Sequence, residues 1–200
     1  MNTGPRTLYT ADQAVRRAID RVGTGIYDLG TGDLIVGGND SGPEWATNNT
    51  KRQRDCFGFA VCECFGIRRH RPGYNRGWTD ANGGPTVVDD LNCNSMIEDA
   101  KHGQDLAEVA FTPAPGLLIM YPTIHLPGVP HPWIGHVKII VGVDRVTSWD
   151  HDYPDWSLLD TVECMPHVPA IVRGTGAGMV THDKVWPLPQ HRTVMVRIRP

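Results

Sequence analysis

Two residues in this chain have the chemistry and the setting of a thiol–imidazole pair. Cys56 opens a mostly apolar run, residues 56–65, that reads as a buried helix with Asp55 as its N-cap and Gly66 past its end. A thiol in a first helical turn lies beside unpaired backbone N–H groups and the positive end of the helix dipole, and both stabilise a thiolate. Gly58, two residues on, allows close approach of a backbone or a substrate. The same cysteine also fits as one more apolar side chain of a buried helix, and its position alone leaves both readings open. Of the nine histidines, His136 is the best placed base. It follows Gly135 and opens an apolar, β-branched run ending at Gly142, which reads as an inner strand. A histidine at a strand start is commonly a surface residue. Taken with Cys56 it has the architecture a Cys–His nucleophile requires.

An imidazole acting on a thiol needs a third group to orient its other nitrogen. The run 158–164 offers Asp160 and Glu163. In a strand these two, three residues apart, face opposite sides, so only one of them can turn to His136. A carboxylate buried in such an apolar strand needs a partner.

The elements that must position these groups are legible in outline. Residues 10–22 form the clearest helix, with Ala11, Ala14, Val15, Ala18, Ile19 and Val22 on one face and a capping box from Thr10 to Gln13. Residues 23–54 are rich in Gly and Asn and read as loops around a short segment at 26–29. A short helix is expected over 95–102, capped by Ser95 with Glu98 and stopped by Gly103. Strands are expected at 116–121, 136–143, 158–164 and 194–199. Helices first and consecutive strands after them imply α+β with an antiparallel sheet.

Composition narrows the function classes. A chain of 200 residues is one domain by the usual prior, and at 22.1 kDa folding buries roughly 70% of the unfolded surface. Lys+Arg 19 against Asp+Glu 22 gives a net charge of −3, with no basic block to suggest nucleic acid. The longest apolar runs are far short of the roughly 20 residues a membrane helix needs. The amino terminus lacks the basic and apolar regions of a Sec signal peptide. Five cysteines, an odd number without a disulfide-scaffold spacing, favour a reducing compartment at synthesis.

The quoted residues carry a resemblance. Tyr27 in GIYDLG, Asp55-Cys56-Phe57-Gly58-Phe59, Pro115-Gly116-Leu117-Leu118 and Gly135-His136-Val137 resemble the NlpC-type cell-wall cysteine peptidases, phage- and prophage-encoded members above all. The likeness extends to the helix from Asn94 to Ala100 and the Val162-Glu163-Cys164 strand, covering about residues 10–185. It implies a papain-like α+β fold cleaving amide bonds in peptidoglycan stem peptides. By position it makes Cys56 the nucleophile, His136 the general base and Glu163 the third group, often histidine in the family. It also implies that Tyr27 lines the site near the oxyanion and that Asp55 and Phe57 line the substrate pocket. The backbone N–H of Cys56 is the natural further oxyanion donor. Phe57 stands where the family usually has serine, and Lys138 where it often has glycine.

Other signals carry less. Cys62 and Cys64 point to different helix faces and make a poor zinc pair, and Cys93 has no matching ligand. His125, His131 and the Asp150–His151–Asp152 cluster match no metal spacing. The run 174–178 lacks the lysine and hydroxyl of a phosphate loop. The six tryptophans read mostly as loop residues, which pack onto the core or line a sugar- or peptide-binding groove. No cofactor or metal is expected. Three functions remain in view: a peptidoglycan amidohydrolase, a non-catalytic phage-particle module of the same fold, and a Cys–His acyltransferase. The first two place the chain with phage tail or lysis proteins. Lacking a signal peptide, the hydrolase is expected to reach the wall through a phage particle, a holin or a secretion system.

Overall fold

The computed structural model describes residues 7–23, 26–27, 53–69, 91–103, 106–123, 135–143, 159–164, 180–184 and 193–200. Three helices and eight strands fall within them. Helix α1 (Ala11–Asp20) carries the expected capping box: Gln13 N–H donates to Thr10 Oγ1 at 3.3 Å, and Thr10 N–H donates to Gln13 Oε1 at 2.9 Å. Its buried stripe is narrower than the apolar periodicity implied. Ala14 and Ala18 are fully buried, whereas Ile19 and Val22 are 47% and 40% exposed. Small side chains at those two positions let the helix backbone approach the sheet closely, and the larger residues fall beside the contact rather than in it.

Strands β1 (Ile26–Tyr27) and β2 (Gln53–Arg54) pair in parallel just ahead of the second helix. That helix, α2, runs over residues 56–65 as expected and is wound as a π-helix over Gly58–Glu63. Every residue of it is buried. Arg17 and Arg21 of α1 fix it from outside: Arg17 donates to the Glu63 carbonyl at 3.0 and 3.2 Å, and Arg21 pairs with Glu63 Oε1 at 3.0 Å. Helix α3 (Cys93–His102) begins two residues earlier than its sequence signal suggested. Asn92 is the cap and Ser95 answers it, at 3.0 and 2.9 Å, displacing the Ser95–Glu98 box. The earlier start places Cys93, Met96, Ile97 and Ala100 together in the core.

The six remaining strands are β3 (Ala107–Val109), β4 (Leu118–Tyr121), β5 (His136–Val143), β6 (Leu159–Cys164), β7 (Val180–Lys184) and β8 (Val194–Ile198). They form one antiparallel sheet in the order β3-β8-β4-β5-β6-β7, so the molecule is α+β. Strands β3 and β7 had no expectation behind them. Strand β4 starts two residues late because Gly116 has φ +86° and lies against Ala11, where a Cβ would come within 2.6 Å of the alanine's own. The sheet buries both faces. Leu118, Met120, Val137, Ile139, Val162 and Cys164 join the helices in the main core, and Leu117, Ile119, Ile140, Leu159 and Met195 form a smaller cluster. On β5, His136 and Lys138 share the parity of Ile140 and alternate with Val137 and Ile139 of the main core, to which Cys56 and Cys93 also belong.

Candidate active site

Cys56 comes to the mouth of β5 from the first turn of α2. Its Sγ lies 4.0 Å from the carbonyl oxygen of Gly135, the residue immediately ahead of His136. Three polar contacts hold that mouth in place. Thr123 N–H donates to Asn94 Oδ1 at 2.8 Å, Gly135 N–H donates to Thr123 Oγ1 at 2.8 Å, and Tyr121 pairs with His136 in the β4–β5 ladder. Gly135 is hemmed in. A Cβ there would meet the Tyr121 carbonyl oxygen at 2.8 Å, the Thr123 nitrogen at 2.9 Å and the Cys93 Cβ at 3.1 Å.

The imidazole of His136 is oriented from behind. Its Nε2 lies 2.5 Å from Glu163 Oε2, and the carboxylate's other oxygen accepts from Lys138 Nζ at 2.7 Å. Ile139 pairs with Val162 and Ile140 with Thr161, so one further step along the antiparallel ladder sets Glu163 across from Lys138. Glu163 is 1% exposed and Lys138 4%. Of the two carboxylates the strand offered, the structure brings Glu163 to His136. Asp160 lies opposite Gly142 on β5 and Lys184 on β7.

The electrostatics follow from these contacts. The Cys56 thiol is held down at about 5, well below the ordinary 9.0. Hydrogen bonding from the Cys93 side chain contributes most, burial opposes it, and the charge and hydrogen bond of His136 add to the lowering. The neighbouring Asp55 carboxylate works weakly the other way. Burial disfavours a charged His136, yet the Cys56 thiolate and Glu163 outweigh it and raise the imidazole to about 9. Glu163 is likewise pushed up by burial and pulled further down by His136 and Lys138, ending below the usual carboxylate range. Cys93 is raised well above an ordinary thiol by its hydrogen bond to Cys56 and by burial, so it stays a protonated donor. Between about 5 and about 9 the resting pair is thiolate and imidazolium.

Asp55 does the capping expected of it. Its Oδ1 accepts the Gly58 N–H at 2.6 Å, and Arg69 pairs with both carboxylate oxygens, Nη1 reaching Oδ2 at 3.0 Å. Phe57 is 3% exposed and belongs to the main core, with the Arg69 guanidinium 5.5 Å from its ring centre. Tyr27 lies in β1, the strand paired with the residues just before Asp55. The tryptophans, His125, His131, residues 150–152 and residues 174–178 lie outside the described residues.

Two neighbours of Cys56 escaped the sequence reading. Cys93 carried the same signal as Cys56, a cysteine directly after a capping residue, but it was hidden behind the wrong cap. Tyr121, whose ring centre is 5.8 Å from that of His136, ended an expected strand without being singled out. Its hydroxyl is held protonated by burial and by the Cys56 charge. Among the described residues no group of three His, Cys, Asp or Glu is arranged to hold a metal, and no helix is long and apolar enough to cross a membrane. No protein-family model, curated protein or solved structure matches the chain.

Proposed function

We propose that the protein is a papain-like cysteine amidohydrolase that cleaves amide bonds in peptidoglycan stem peptides, with Cys56 as nucleophile, His136 as acid and base, and Glu163 as the group that orients the imidazole. The observation that carries the reading is the line from Cys56 through His136 to Glu163, assembled from α2, β5 and β6. Sequence-distant groups converging on one buried thiolate are what acyl transfer needs, and a structural cysteine needs none of them.

In this scheme the Cys56 thiolate adds to the substrate carbonyl carbon. Nε2 of His136 is committed to Glu163, so Nδ1 delivers the proton to the departing amine, and the C–N bond breaks to leave a thioester. Neutral His136 then takes a proton from water as its oxygen attacks the thioester, and the Cys56 thiolate leaves again. The backbone N–H of Cys56 in the first turn of α2, with Tyr27 nearby in the family pattern, supports the developing oxyanion. The choice of peptidoglycan over other amides rests on the motif resemblance in Asp55–Phe59 and Gly135–Val137.

The test is digestion of purified sacculi. The expected result is release of new amino groups and soluble muropeptides by the protein and none by Cys56→Ala. Intact sacculi after treatment with folded protein would overturn the peptidoglycan assignment.

A further inference from the structure

We infer that Lys138 is a positioning residue of this site: acting through Glu163, it completes a charge-balanced buried quartet that keeps Cys56 a thiolate. The inference rests on the Cys–His reading above but not on the identity of the substrate.

Lys138 is an unusual occupant of its place. An ammonium 4% exposed on an inner strand is expensive to bury, and a lysine rarely stays inside unless paired. Its Nζ is spent on Glu163 Oε1 at 2.7 Å, while the other carboxylate oxygen takes His136. Among the described residues, the charged groups facing Glu163 are His136 and Lys138, both from β5. Those acting on Cys56 are His136 from β5 and Asp55 from its own helix, with the Cys93 thiol from α3 as a neutral donor.

Counting charges explains the arrangement. Cys56 and Glu163 are the anions, His136 and Lys138 the cations, and the four sum to zero. Asp55, which also acts on Cys56, is paired with Arg69. Without Lys138, two buried anions would share one cation. A low-dielectric site relieves that imbalance by taking up a proton, either on Glu163, which then no longer stabilises imidazolium, or on Cys56 itself. A protonated Glu163 can donate as well as accept, and so also stops fixing the imidazole. Lys138 thus touches neither substrate nor sulfur, and its effect arrives through Glu163.

The experiment follows the ionisation of Cys56 by thiolate ultraviolet absorbance and by site-resolved alkylation rate against pH, on the full chain without substrate. Lys138→Met should raise the Cys56 midpoint by about one pH unit or more. The same substitution in a Glu163→Gln background should add little further shift. Lys138→Arg should keep the midpoint close to that of the parent. Lys138→Gln, which retains a donor without the charge, should shift the midpoint as Met does and serves where Lys138→Met does not fold. An unchanged midpoint in a folded uncharged variant overturns the inference, as does an equal shift with and without Glu163. Failure to digest sacculi would overturn the proposed substrate and leave this titration standing.

Discussion

His136 turns Nε2 to Glu163 Oε2 at 2.5 Å, which commits one ring nitrogen to the carboxylate and leaves the other for the thiol. A bond from a buried carboxylate fixes both the tautomer and the plane of an imidazole. Glu163→Gln keeps the shape and removes the charge, and turnover on sacculi should fall by about one to four powers of ten. Asp160→Asn should leave turnover within a few-fold of the parent. Turnover of both variants decides between them: a large loss at Asp160 with normal activity for Glu163→Gln would reverse the assignment.

The pH dependence has a definite sign on each side. Cys56 ionises at about 5, so activity should rise with pH through that value as thiolate forms. His136 holds its proton up to about 9, so activity should fall above it as the acid needed by the leaving amine is lost. The check is the initial rate across this range: a profile rising only near the ordinary thiol value of 9.0 would contradict a resting ion pair.

Cys93 supplies the largest single stabilisation of the thiolate. Cys93→Ala should move the Cys56 midpoint upward, and Cys93→Ser, which retains a donor, should move it less. Ionisation curves of both variants check this. Equal, unshifted midpoints would mean that the neighbouring thiol only fills space.

Gly135→Ala adds no functional group and removes none. Its Cβ would nonetheless meet the Tyr121 carbonyl oxygen and the Thr123 nitrogen inside 3.0 Å, and both are backbone atoms. Overpacking of this kind costs about 1–3 kcal/mol, and the displacement would carry His136 with it. Thermal unfolding should show the loss of stability, and turnover should drop in the protein that remains folded. Full activity would show that the mouth of β5 has room to give.

The sequence announced what depends on local pattern. The Thr10–Gln13 box, the buried run after Asp55 and the β-branched run from His136 each state their element within a few residues. Strand parity allowed only one of Asp160 and Glu163 to turn to His136, and the motif resemblance pointed to Glu163. What stayed hidden depends on long-range packing. Strand β3 is three residues long and is held by β8, almost ninety positions away. Asn92 caps in place of Ser95, and the earlier start adds Cys93 to the buried face that Met96 already occupies, a packing partner not visible from either capping side chain. The pairing of Cys93 with Cys56, and of Lys138 with Glu163, exists only once α2, α3, β5 and β6 are assembled.

The central claim is that Cys56 rests as a thiolate. All five are buried and none is in a disulfide, so exposure alone does not single one out. Site-resolved iodoacetamide labelling of the native protein across pH 4–10 reads the claim directly. The expected result is that Cys56 labels first, with a rate rising through a midpoint near 5, ahead of Cys62, Cys64, Cys93 and Cys164. Labelling of Cys56 among the slowest, or with a midpoint near 9.0, would contradict it.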